Sequence, residues 1–365
     1  MDKIIISLTI DNNFVQYLRV TLQSLVTHFG NNNFYYIYIL HSRLTSSNKS
    51  KILNIIHNKN NVKIEFIDIS NEIKQYQLKS NLKHVSNATF YRYLIPKVLS
   101  QYDKILYLDT DTIINTDIQK LFNYNITNYY FGACYDLTTM QLLCSKLTPF
   151  IYYRDKLKIR NPIYEYFNAG ILLFNNKKLN KDKITERMFQ LAVNNNLQYS
   201  GQDPMNVATH LNVKFLPIKW NLTNYHPTPN SINYIPEEVQ FEYKRDIKNP
   251  GIIHFSTEFK PWNMPESELS EYWWKYANEV LSPEEMLNNF PEGFFKAIKL
   301  GLTDYHFSIE QFLLIKQEYK TRIKTLKLKK IFSIGKQKRL INQQLNKLKS
   351  IYRDINYIIE IMEVM

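Results

Sequence analysis

Asp109 and Asp111 stand two residues apart, after the apolar run Lys104-Ile105-Leu106-Tyr107-Leu108 and before Thr112-Ile113-Ile114. Residues i and i+2 of a strand point to the same side, so both carboxylates can converge on one cation. Oxygen ligands suit a hard divalent ion such as Mg²⁺ or Mn²⁺, and an ion held by two carboxylates usually also takes phosphate oxygens from a substrate. An Asp-x-Asp pair also describes a solvated turn. The surrounding elements therefore decide what it means.

Those elements alternate. Strands are expected at 3–10, 33–40, 62–67 and 104–108. Helical spacing fills 14–29, 46–57 and 88–99, the last in spite of Pro96. Such alternation predicts an α/β fold with a mostly parallel, doubly wound sheet and helices on both faces. Ligands of open α/β sheets bind beyond the carboxyl ends of strands, where Asp11 and Asp109 both emerge. Further strands are expected at 130–135, 171–174, 214–216 and 251–255, and helices at 183–197 and from Gln202 on.

The chain has 365 residues, of which 44% are hydrophobic and 22% charged, a globular composition with room for two units. The N-terminus reads as a core strand rather than a signal peptide, and no apolar run reaches the ~18 residues of a membrane span. Cys134 and Cys144 match no zinc or redox spacing and are expected as core residues of a reduced, cytoplasmic protein. The net charge is +13, yet residues 316–353 alone hold thirteen Lys or Arg against one acid, Glu318. The basic character belongs to a tail, which points to a separate task for it.

Four segments must be read together: Thr9-Ile10-Asp11-Asn12-Asn13-Phe14, His84-Val85-Ser86-Asn87-Ala88-Thr89-Phe90-Tyr91-Arg92, Tyr107-Leu108-Asp109-Thr110-Asp111, and His254-Phe255-Ser256-Thr257-Glu258-Phe259-Lys260-Pro261-Trp262. With Asn168-Ala169-Gly170 and Gln202-Asp203, their order and spacing resemble family 8 of the retaining glycosyltransferases over about residues 3–265. That family includes glycogenin and the bacterial lipooligosaccharide α-galactosyl- and α-glucosyltransferases.

The resemblance implies a GT-A-type, Rossmann-like fold and a set of roles. Asp109, Asp111 and His254 match the metal ligands, for Mn²⁺ or Mg²⁺. Lys260 matches the cation on the diphosphate. Asp11 and Asn13 match the uracil and ribose positions of a UDP-sugar, with Thr9 adding backbone contacts and Phe14 replacing an aromatic that stacks on the base. Arg92 matches a contact to donor sugar and diphosphate, and His84 a position on the same wall. Asp136 matches an acid near the donor hexose, Asn168 a sugar-hydroxyl contact, and Gln202 a position near the anomeric carbon. Two departures stand out: Gly201 replaces an acid that usually precedes Gln202, and Thr257 replaces a glycine beside the diphosphate.

The implied activity is metal-dependent, retaining transfer of galactose or glucose from UDP-galactose or UDP-glucose to a glycan acceptor in α-linkage, the acceptor being lipopolysaccharide, capsule or another surface carbohydrate. Gly201 and Thr257 keep a catalytically impaired sugar-nucleotide binder as the alternative, and a protein-linked glycan is a further acceptor class. A nucleotidyltransferase would need a glycine-rich phosphate loop, and residues 8–16 contain no glycine.

Residues 1–265 are accordingly expected as the transferase domain and 266–365 as a helical extension. Its basic segment fits an anionic membrane surface, which would place the protein on the inner face of the cytoplasmic membrane. Its heptad-like stretch 341–362 would pair with a second copy or fold back. No nucleic-acid module accompanies the charge, so no nucleic-acid partner is expected.

Overall fold

The computed structural model describes residues 2–76, 78, 87–145, 151–194, 197–223, 235–303 and 308–364. The chain divides into two compact units, Met1–Glu258 and Phe259–Met365, the first ending short of the boundary at 265 read from sequence.

The first unit contains strands β1 (Asp2–Ile10), β2 (Asn33–His41), β3 (Val62–Asp68), β4 (Lys104–Leu108), β5 (Thr112–Ile114), β6 (Phe131–Tyr135), β7 (Phe167–Asn175), β8 (Val213–Phe215), β9 (Leu222–Thr223) and β10 (Ile252–His254). Seven form a sheet in the order β3-β2-β1-β4-β7-β6-β8. Its pairings are parallel except those of β7, which runs antiparallel to β4 and β6.

The period of two explains why the central strands read as near-continuous apolar runs. Ile4, Ile6, Leu8, Leu106, Leu108, Ile171 and Leu173 face one apolar cluster, shared with Leu18, Leu22 and Leu25 of helix Val15–Thr27. Ile5, Ile105, Tyr107, Leu172 and Phe174 face the other, shared with Phe90, Tyr93 and, from helix Ile184–Asn194, Met188 and Phe189. Both faces are covered, so neither can alternate with polar residues. Together these make the α/β, GT-A-like architecture.

Residues 88–99 depart from the single helix expected there. Asn87–Leu94 is a 3-10 stretch and only Ile95–Val98 is α-helical, with Pro96 in its first turn. A proline inside an α-helix loses a hydrogen bond and meets the carbonyl four residues back, so the chain tightens before Pro96 and restarts around it.

A second sheet, β5-β10-β9, is small but decisive. It pairs His254 with Thr112 on one side and with Thr223 on the other, next to the acidic motif.

The second unit is helical. Ser270–Val280, Pro283–Asn289 and Pro291–Lys299 precede two long helices, Ile309–Ile331 and Gly335–Val364. Capping boxes at Ser282/Glu285 and Ser308/Gln311 start two of these. Of the two arrangements expected for 341–362, the structure shows the stretch folding back within its own unit. Ile341 and Leu345 are buried, and Ile351, Ile355, Ile358 and Ile359 pack on Phe295, Phe312 and Tyr319 of the same chain. Much of the apolar seam is thus covered within the chain. Among the described residues no helix is long and apolar enough to cross a membrane.

Candidate active site

β4 delivers Asp109 and Asp111 to a point where the two sheets meet. The Asp109 N–H donates to Gly170 O of β7 at 2.8 Å, and the Phe255 N–H beyond β10 donates to Asp111 O at 3.0 Å. One carboxylate is therefore tied to the large sheet and the other to the small one. Across the gap, His254 Nε2 lies 3.3 Å from Asp111 Oδ1 and 3.8 Å from Asp109 Oδ2. Ligand atoms of all three residues lie within 4.8 Å of one another, so the triad inferred from resemblance is spatially real.

The orientation of His254 follows from a chain of amides anchored at one backbone N–H. Gly170 N–H donates to Asn168 Oδ1 at 2.9 Å, which fixes that atom as oxygen. Asn221 Nδ2 donates to the same oxygen at 2.9 Å, so its own oxygen faces away, 2.9 Å from His254 Nδ1. Nδ1 must then carry the proton, and Nε2 presents a lone pair to the two carboxylates. A shared cation makes that juxtaposition favourable, and an imidazole held by its other nitrogen is the usual form of a metal ligand. The residues thus fit a divalent ion of Mn²⁺ or Mg²⁺ type by donor set and by orientation.

The glycine of Asn168-Ala169-Gly170 has a steric reason. A Cβ at Gly170 would sit 2.0 Å from His254 Cε1, so any side chain there would displace the ring. The triplet lies inside β7 rather than ahead of it.

On the other side of Asn168 the network reaches Asp136 and Gln202. Ala169 N–H donates to Gln202 Oε1 at 2.9 Å, leaving Gln202 Nε2 to donate to Asp136 Oδ2 at 2.9 Å. Asn168 Nδ2 donates to the same oxygen at 3.1 Å, and Thr139 N–H to Asp136 Oδ1 at 2.8 Å. Three residues drawn from distant parts of the sequence thus form one polar cluster, with Asp136 and Asn168 buried and Gln202 half-buried.

Arg92 is 6% exposed, and its guanidinium meets acceptors on Thr89, Ala169 and Asp109. Nε and Nη2 reach Thr89 O and Oγ1 at 2.8 and 3.1 Å, Nη1 reaches Ala169 O, and the fork spans both oxygens of Asp109 at 3.1 and 3.4 Å. Burial, the largest influence, works against its charge, and Asp109, Tyr107, Tyr93 and Asp111 together outweigh it, holding the guanidinium above its ordinary pKa. A sugar or phosphate oxygen would have to displace one of these acceptors. Tyr107 OH also donates to Asp109 Oδ1, and its oxygen accepts from Thr9 Oγ1 at 3.1 Å. Burial, with Asp109 beside it, pushes the Tyr107 phenol well up.

Asp11 caps the turn after β1, accepting from Asn13 N–H at 2.8 Å, and Asn13 O accepts from Gln16. Phe14 is half-buried on the sheet core, its ring 5.4 Å from that of Tyr17. His84 lies outside the described residues. Lys260 belongs to the second unit, with its ammonium 5.8 Å from the Trp262 ring centre.

Sequence reasoning missed Asn221 and the Thr89–Gly201 pair. The only signal at Asn221 was an Asn-x-Thr triplet with no bearing on its role. A Cβ at Gly201 would lie 2.2 Å from Thr89 Oγ1, the hydroxyl that accepts from Arg92. Where the resemblance expects an acid, the Thr89 side chain fills the space.

Comparison with known proteins gives the family. The Glycosyl transferase family 8 model matches residues 5–265. A Haemophilus influenzae protein bearing the glycosyltransferase name is 28% identical over 322 residues, 86% of each chain. Lipopolysaccharide 1,2-glucosyltransferase of Escherichia coli is 26% identical over 182 residues, 49% of this chain and 50% of that one. Among solved structures, galactosyltransferase LgtC with donor and acceptor sugar analogues matches at TM-score 0.64 and 21% identity, over 79% of this chain and 100% of that one. The bifunctional glycosyltransferase WbbM matches at TM-score 0.70 and 22% identity, this chain spanning 52% of its length. At those identities the structures speak for the fold, and the family model, covering most of the chain, speaks for descent: the protein belongs to glycosyl transferase family 8 and is a glycosyltransferase.

Proposed function

We propose that the protein transfers galactose or glucose from UDP-galactose or UDP-glucose to a glycan acceptor, with a divalent cation, Mn²⁺ or Mg²⁺, and with retention as an α-linkage. The observation that carries this reading is the convergence of Asp109, Asp111 and His254 within 4.8 Å at the end of β4. Bound there, the ion would supply positive charge against the diphosphate as it leaves.

The protein's own groups divide the remaining work. Arg92 and Tyr107 hold Asp109 in place, while Asn221 holds His254. Asp136, Asn168 and Gln202 offer a prearranged polar wall to the hexose, where fixed donors and acceptors stabilise an oxocarbenium-like state without reorganising. Asp136 accepts three hydrogen bonds, which spreads its charge and makes it a weak nucleophile. Retention then proceeds on one face. The acceptor hydroxyl oxygen bonds to the anomeric carbon as the bond to the diphosphate oxygen breaks, and the hydroxyl proton passes to the departing diphosphate. Thr9, Asp11, Asn13 and Phe14, at the end of β1, take the uridine.

The test is a panel of UDP-sugars with Mn²⁺, scored for UDP release with and without surface-glycan acceptors such as lipopolysaccharide or capsule fragments. Release confined to one UDP-hexose, abolished by chelation and restored by Mn²⁺, is expected. UDP binding with no release from any donor would instead favour the impaired binder.

A further inference from the structure

The second unit separates charge and apolar surface along its long helical pair rather than around it. Near the chain's packed helices, Phe312, Tyr319, Ile351 and Ile355 are buried, and acids are present: Lys299 Nζ lies 2.6 Å from Asp354, and Glu318 pairs with Arg322. Beyond Glu318 and before Asp354 there is no acid at all, against twelve Lys or Arg. At the far end the chain turns through Phe332, Ser333 and Ile334. Ser333 is tucked in, its hydroxyl donating to Lys330 O at 2.9 Å, while Phe332 and Ile334 are 84% and 88% exposed. Leu328, Ile331 and Leu340 add exposed apolar surface beside them. Lys329, Lys330, Lys336, Lys338 and Arg339 flank this tip in sequence.

Bulky apolar side chains held in water by a well-formed turn mark an interaction site. Ammonium and guanidinium groups flanking them match an anionic bilayer, whose headgroups meet the cations while its acyl boundary receives the apolar tip. A helix lying flat would need one apolar face along its length, and here much of that face, at Phe312, Tyr319, Ile351 and Ile355, is buried within the chain, while the exposed apolar side chains are most numerous at the turn. We propose that the turn around Phe332 and Ile334 enters an anionic lipid surface end-on, with the basic arm as its collar. Each basic residue near such a surface raises partitioning by about fivefold, so a few cations suffice for capture and the apolar tip sets the depth.

The experiment uses the full chain with vesicles of phosphatidylcholine, with and without phosphatidylglycerol, and with tryptophan introduced as Phe332→Trp or Leu314→Trp in separate proteins. The native tryptophans are buried and serve as background. Expected are co-sedimentation only with phosphatidylglycerol, quenching by brominated lipid at Phe332→Trp but not at Leu314→Trp, and roughly tenfold weaker binding by the Phe332→Ser/Ile334→Ser double variant. UDP release by that variant should match the unaltered protein, which separates docking from transfer. Equal quenching at both positions would overturn end-on entry. Vesicle binding indifferent to the double variant, or duplex DNA bound as tightly as the anionic vesicles, would overturn the lipid assignment.

Discussion

In the first unit Arg92 is buried, and Nε, Nη1 and Nη2 each donate to an acceptor that is itself fixed by β4, β7 or the turn before Pro96. In the second unit, residues 320–353 carry twelve cations and no acid, and among the described residues only Arg322 and Lys347 have ion-pair partners, Glu318 and Glu292. The contrast reflects distance dependence. A group that must hold a ligand oxygen works through contacts that fail within an ångström, so its surroundings have to over-determine it. A charge that attracts a surface works over about 8–10 Å in physiological salt and needs no fixed rotamer. Buried, partnered polar groups and exposed, mostly unpaired helical cations are thus two solutions to two tasks on one chain.

The sharpest way to break this comparison is Asp111→Ala. If the convergence is a metal site, Mn²⁺ affinity by calorimetry and UDP release should both fall, release by on the order of a thousandfold. The unfolding of the second unit should not move. Unchanged Mn²⁺ affinity would remove the basis for assigning the site. The reciprocal change is Ile355→Ala, which empties a fully buried position among Phe295, Phe312 and Tyr319. It should cost about 2–5 kcal/mol in denaturant unfolding of the second unit, with Mn²⁺ affinity intact.

Much of this was readable in sequence where the signal is local. The run 104–108 named its own strand, and with it the carboxyl end at which Asp109 and Asp111 stand. Tertiary partners were not readable in that way. Asn221 is 33 residues from His254 and 53 from Asn168, and nothing in its neighbours distinguishes it from the chain's other asparagines. Its role exists only because β9 lies beside β10. Likewise the antiparallel insertion of β7 between β4 and β6 carries no periodic mark, since a strand buried on both faces reads the same in either direction. The heptad-like spacing at 341–362 was correct as helix, yet periodicity cannot tell an internal partner from a second copy.

Asn221 gives the next-largest effect and tests the orientation argument directly. Asn221→Ala should weaken Mn²⁺ binding by roughly 10–100-fold, the usual cost of losing a partner behind a ligating histidine. Asn221→Asp keeps an acceptor for His254 Nδ1 but loses the donor to Asn168 Oδ1. It should retain most of the metal affinity while lowering turnover. Equal loss of affinity in both variants would show that imidazole orientation is not what Asn221 provides.

The smallest expected effect compares two glycines. A methyl group at Gly201 would meet Thr89 Oγ1 at 2.2 Å, so Gly201→Ala must push Thr89 aside and loosen its grip on Arg92. Overpacking of this kind costs about 1–3 kcal/mol, and here it should appear partly as lost turnover because Arg92 holds Asp109. Shortening the neighbour should relieve it: Thr89→Ala combined with Gly201→Ala is expected to be less damaging than the sum of the two single changes. In the second unit Gly301 has φ +67 and open space around it, so Gly301→Ala meets no atom and pays only the left-handed backbone strain, about 1 kcal/mol of stability. Turnover should not change. If Gly201→Ala also altered stability alone, leaving UDP release and its Mn²⁺ dependence untouched, the Thr89–Arg92–Asp109 linkage would be packing and nothing more.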